Sequence, residues 1–157
     1  SITLLASGSI FAGETYLGGS VPEICTVTGM GNALDFPDMN AGTAVTSNVH
    51  LQCNDGDGAI LKLTSSEGGM ESDDREDRSV HYNAVLNHNL PGGPSSLTLT
   101  ADGIPGLGTN DIFVEQSVNG SGMFADGKPA TLVVTLEQSA RWAGGYSDTL
   151  SLDVTSR

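Results

Sequence analysis

The chain has 157 residues, enough for one domain with its own core, and a net charge of −13 with only 16% charged residues. Six basic residues cannot build a phosphate-binding stripe, so no nucleic-acid partner is expected. No window reaches the eighteen or so apolar residues of a membrane helix, so no membrane span is expected.

In chain order, residues 1–12 read SITLLASGSIFA. Ile2, Leu4, Ala6, Gly8 and Ile10 fall on one side, and Thr3, Ser7 and Ser9 fall between them. That alternation predicts a strand at the extreme terminus. Residues 16–27 predict a second strand running into Cys25, with Pro22 marking an edge or a bend. A short strand is expected over 33–36. Residues 47–54 alternate through Val49, Leu51 and Cys53, and 59–65 (AILKLTS) follow after the turn NDGDG, so the pair predicts a hairpin. Residues 66–78 read as a charged, exposed loop. Strand resumes over 79–87, with Val80, Tyr82, Ala84 and Leu86 on one face. Shorter strands are expected over 97–100 and 111–118, a loop over 119–129, and a strong strand over 130–138. The last strand, 146–155, turns Leu150, Leu152 and Val154 one way and Thr149, Ser151 and Asp153 the other. No helical periodicity persists for ten residues. Short strands with turns every ten residues or so predict an all-β fold, an immunoglobulin-like β-sandwich.

Two cysteines, Cys25 and Cys53, lie far from any CxxC spacing, and with His50 the one histidine near either of them they make a poor zinc site. One disulfide between two strands is the economical reading, and two buried free thiols are the alternative. A disulfide implies an oxidising compartment. No basic, apolar leader precedes Ser1, so the protein either needs none or has had one removed. The acidic, Thr/Ser/Gly-rich, Lys-poor composition is that of secreted and surface proteins.

The residues offer little chemistry. Asn54–Gly58 resembles the start of a calcium loop, but position twelve counted from Asp55 or Asp57 is Ser66 or Gly68, so a turn is expected. The five carboxylates within 71–78 read as a solvated loop, with calcium as the alternative. His50, His81 and His88 read as surface or strand residues, and neither a G-x-S-x-G elbow nor an HExxH motif is present. Neither a catalytic residue, nor a metal site, nor a cofactor is expected. Trp142, in SARWAGGY, either stacks on a sugar or packs in the core or at a groove edge.

Three stretches resemble the spore coat protein U domain, the subunit family of archaic chaperone–usher pili. They are EICTVTG followed by ALDFPDM, SNVHLQCNDGDGAILKLTS, and the C-terminal GGYSDTLSLDV, with SVHYNAVL between them. The resemblance implies an immunoglobulin-like sandwich lacking its final strand. It also implies a groove filled first by a periplasmic chaperone, with an outer-membrane usher acting in assembly. The N-terminal extension of the next identical subunit then replaces the chaperone. On that reading residues 1–13 are the donor extension and 14–157 the incomplete domain. Ile2, Leu4, Ala6, Gly8 and Ile10 fill an acceptor groove flanked by Val21 and Ile24 on one side and Leu150, Leu152 and Val154 on the other. Burying the three large aliphatics contributes roughly 1.5–3 kcal/mol each before entropy losses. The last predicted strand stops two residues from Arg157, so a strand that covers its edge comes from elsewhere. The alternation of 1–12 is met equally by insertion into a neighbour and by folding back into the chain's own groove. The expected function is a non-enzymatic subunit of an extracellular, cell-surface fibre for adhesion and biofilm formation, exported through the periplasm. The alternative is a secreted binding module or tip adhesin, with a glycan at Trp142 and the acidic loop.

Overall fold

The computed structural model describes residues 12–74, 78–103 and 111–157. Strand makes up 46% of these and helix 4%, in several sheets, so the fold is all-β. The elements are β1 (Cys25–Thr28), β2 (Ala44–Cys53), β3 (Ala59–Ser65), β4 (Met70–Ser72), β5 (Ser79–Val80), β6 (Tyr82–Asn87), β7 (Ser96–Ala101), β8 (Ile112–Val118), α1 (Gly122–Asp126), β9 (Lys128–Leu136), β10 (Tyr146–Ser147) and β11 (Leu150–Ser156). A five-stranded antiparallel sheet runs β1-β2-β9-β6-β7. A second sheet runs β11-β3-β8, and a small third one runs β10-β4-β5.

Period-two alternation decides what each strand buries. β2 turns Val49, Leu51 and Cys53 inward, and β9 turns in Ala130, Leu132, Val134 and Leu136. From the facing sheet come Leu61 and Leu63 of β3, Val118 of β8, and Leu152 and Val154 of β11. These residues form one continuous core. Phe124 of α1 enters the same core and is fully buried. Ser121 caps this short helix, its Oγ accepting from the Phe124 N–H at 3.1 Å.

The sequence reading needs several corrections. Residues 16–27 do not form one strand: β1 begins only at Cys25, and 12–24 carry no regular structure. Pro22 has no N–H to give a ladder, and the Gly18-Gly19 pair adds backbone entropy without side chains to pack. Residues 33–36 are likewise irregular. The expected loop over 66–78 contains β4, and the loop over 119–129 contains α1. The largest difference is at NDGDG. β2 and β3 are not hydrogen-bonded to each other; the turn carries the chain from one sheet to the other. Gly58 makes this crossing possible. Its φ is +103°, and a Cβ there would stand 2.0 Å from the Val118 carbonyl oxygen. Two alternating strands joined by a tight turn look the same in sequence whether they pair or face each other across a core.

Candidate functional site

β11 has β3 on one side and, among the described residues, no strand on the other. Across from this free edge lies β1, the end strand of the five-stranded sheet. The two layers thus meet here through edges that no other described strand pairs with. Beside the start of β11 a cavity of about 260 Å³ opens between the layers. Leu150 of β11, Val45 of β2 and Leu132 and Val134 of β9 supply apolar wall, and Met30, Leu34 and Phe36 of the irregular 29–38 segment supply more. Tyr82 and Asp148 stand at its polar end.

That polar end is a network built by the YSDTL stretch. Asp148 Oδ2 accepts from Tyr82 Oη and from Ser65 Oγ, each at 2.5 Å. Its Oδ1 accepts from Ser66 Oγ and from the backbone N–H groups of Glu67 and Thr149 at 3.2, 3.0 and 2.7 Å. Ser65 Oγ in turn accepts from the Gly68 N–H at 2.8 Å. One carboxylate therefore ties the end of β3, the turn after it, β6 and the start of β11. Burial first, then the negative charge of Asp148, pushes the Tyr82 hydroxyl far above its ordinary value. Tyr82 is thus held protonated, as a donor.

The proposed groove residues are placed as follows. Leu152 and Val154 are buried in the core, and Leu150 is half-buried at the cavity. Val21 is 83% exposed and Ile24 41% exposed, and neither joins them. The inward residues of β1 are Cys25 and Val27, so period two turns Ile24 outward, and Val21 lies before the strand begins. Cys25 and Cys53 are directly opposed in the β1–β2 ladder and are disulfide-bonded. Ile2, Leu4, Ala6, Gly8 and Ile10 lie outside the described residues.

Sequence reasoning missed Met30 and Phe36 as cavity wall, because an irregular segment offers no periodicity. It also missed Asn54 as a clamp. Asn54 Oδ1 accepts from the Ile24 N–H at 2.8 Å, Asn54 Nδ2 donates to the Pro22 carbonyl at 2.9 Å, and the Asn54 N–H donates to the Ile24 carbonyl at 3.0 Å. Before this clamp, residues 12–21 are exposed throughout, including Tyr16 at 92% and Leu17 at 86%.

The other candidates separate cleanly. The 54–58 turn is closed from within, Asp55 Oδ1 accepting from the Asp57 N–H at 2.9 Å. Among the described residues no group of three or more acidic, His or Cys side chains is arranged to hold a metal. His88 is buried rather than at the surface. Its Nδ1 accepts from the Leu90 N–H at 3.2 Å, which leaves Nε2 to donate to Gln116 Oε1 at 2.8 Å. Trp142 is 51% exposed, not in the core. No helix among the described residues is long and apolar enough to cross a membrane. No family model matches this chain, and no curated protein matches it.

Proposed function

We propose that the chain is a structural pilin subunit that polymerises head-to-tail by donor-strand complementation. The donor extension is residues 1–13, whose apolar alternates Ile2, Leu4, Ala6, Gly8 and Ile10 enter the groove of a neighbour. One observation carries the reading: the edge of β11, unpaired among the described residues, begins at a cavity of about 260 Å³ with apolar walls, which Leu150 lines. An exposed edge is a template for another strand, and a void between two sheets lacks packing partners. A strand with alternate apolar side chains meets both needs at once, with backbone hydrogen bonds along β11 and side chains in the cavity. The exposed stretch 12–21, about 3.3 Å per residue when extended, is a linker long enough to carry the donor to another molecule. A head-to-tail contact that does not close yields a filament.

The assembly partners on this reading are identical subunits, with a periplasmic chaperone and an outer-membrane usher before them. The fibre is extracellular, and the subunit has no enzymatic activity. The Cys25–Cys53 disulfide fits passage through an oxidising compartment. Deleting residues 1–12 tests the proposal. The truncated protein is expected to lose polymerisation yet form a one-to-one complex with a chaperone or with a peptide of sequence SITLLASGSIFA. Full-length fibres from the truncated protein would sink it.

A further inference from the structure

We infer that the pocket formed where residues 78–80 meet the 139–146 loop binds a sugar carrying a single carboxylate. This inference is independent of the donor-strand reading. The pocket has a volume of about 290 Å³, room for one pyranose ring. Its lining includes Arg78, Arg141, Trp142, Tyr146, Ser79 and Ser139. The whole chain has only six Lys and Arg residues against 19 Asp and Glu. Two of those six line this one pocket, beside the only tryptophan of the chain.

The parts suit an acidic sugar. The Arg78 guanidinium lies over the Trp142 ring, its Cζ 4.3 Å from the centroid, which holds the indole in place. Arg78 covers one face of the indole, and Trp142, still half exposed, has its other face to stack on the C–H face of a sugar ring. Guanidinium groups match a carboxylate with paired, charge-assisted hydrogen bonds. Ser79 adds a hydroxyl for the ring substituents.

The pocket is also held in shape before any ligand arrives. Tyr146 Oη donates to the Trp142 carbonyl at 2.9 Å, and the Ala140 N–H donates to the Met39 carbonyl at 2.8 Å. The Ala41 N–H donates to Ser139 Oγ at 2.9 Å. Two acids, Asp73 and Asp74, lie against Gly145 and Gly144 of the same loop; Asp73 accepts from Ser147 Oγ at 2.9 Å, and neither lines the pocket. The net charge of −13 opposes a polyanion. The occupant is therefore a terminal acidic residue rather than a highly charged polymer.

Trp142 is its own reporter. The full chain is titrated with methyl glucuronide and, separately, with the neutral methyl glucoside, and tryptophan emission is followed. A saturable change with the glucuronide is expected, with the glucoside about tenfold weaker for want of the charge-assisted contacts. Arg141→Gln is expected to abolish the preference, and Arg78→Gln to weaken it while altering the starting emission. Both variants are checked by thermal melting against the parent, and Arg141 is exposed, so its replacement leaves the fold intact. Equal responses to the two sugars, no saturable response to either, or a preference that survives both substitutions would overturn the inference. If emission changes with protein concentration alone and Arg141→Gln removes that change, the occupant is an acidic segment of a second copy, and the sugar assignment falls.

Discussion

At the scale of single residues, Asp148 has the widest reach. Its carboxylate accepts from two side chains of other strands, one serine of the following turn and two backbone N–H groups. Replacing it by asparagine keeps the size but gives up charge-assisted acceptance and sets an NH₂ against donors. Asp148→Asn is expected to cost about 2–4 kcal/mol in urea unfolding. Loss of under half a kcal/mol would mean that the network is replaceable by water. Tyr82 gives a pH-dependent companion test. Its hydroxyl ionises at about pH 10 in the unfolded chain and well above that in the fold. The fold therefore binds this proton more tightly. Its contribution is fully present below pH 10 and is lost as pH rises beyond it. Thermal melts between pH 9 and 11 should show a falling stability that is shallower in Tyr82→Phe. Parallel profiles would contradict the assignment. Gly58 is a third fixed point, and Gly58→Ala is expected to destabilise by roughly 1–3 kcal/mol, from positive φ and the clash with the Val118 carbonyl.

At the scale of elements, the strands that alternate cleanly were legible and the irregular segments were not. Val80, Tyr82, Ala84 and Leu86 are all buried, as their spacing requires, and β3 occupies 59–65 as read. Leu152 and Val154 face the core for the same reason. Two kinds of information were missing. Alternation reports which face is buried but not which strand lies alongside, so the 54–58 crossing between sheets has the same sequence pattern as a hairpin. Residues 29–39 lack any period, yet Met30, Phe36 and Met39 pack against the core. The strand expected over 16–27 is shorter in the fold, because among the described residues nothing covers Tyr16, Leu17 and Val21, which stay exposed. The disulfide joins β1 to β2 at directly opposed positions. Reducing it, or replacing both cysteines by serine, is expected to cost about 2–5 kcal/mol and to loosen β1 first, since among the described residues β1 has only β2 as a ladder neighbour. Hydrogen exchange at 25–28 in the reduced protein reads this directly. Protection equal to that of β2 would contradict it.

At the scale of the whole molecule, the two main sheets share one core but differ in how their edges are covered. β7 and β8, the end strands on one side, lie close together; on the other side β11 and β1 lie near each other, and the start of β11 lines the cavity through Leu150. The clamp at Asn54 fixes where the exposed 12–21 stretch departs from the body. The donor-strand assembly proposed above would account for the β11 edge, unpaired among the described residues, and for the cavity together. A donor strand packed into a neighbour also makes dissociation slow, because the strand leaves only when a packed interior opens. The most direct test is an SDS gel of the native protein loaded with and without boiling. The account predicts a ladder at multiples of the 16.1 kDa chain that collapses to one band on boiling. A single monomer band in both lanes, from protein purified without denaturant, would contradict assembly by strand exchange.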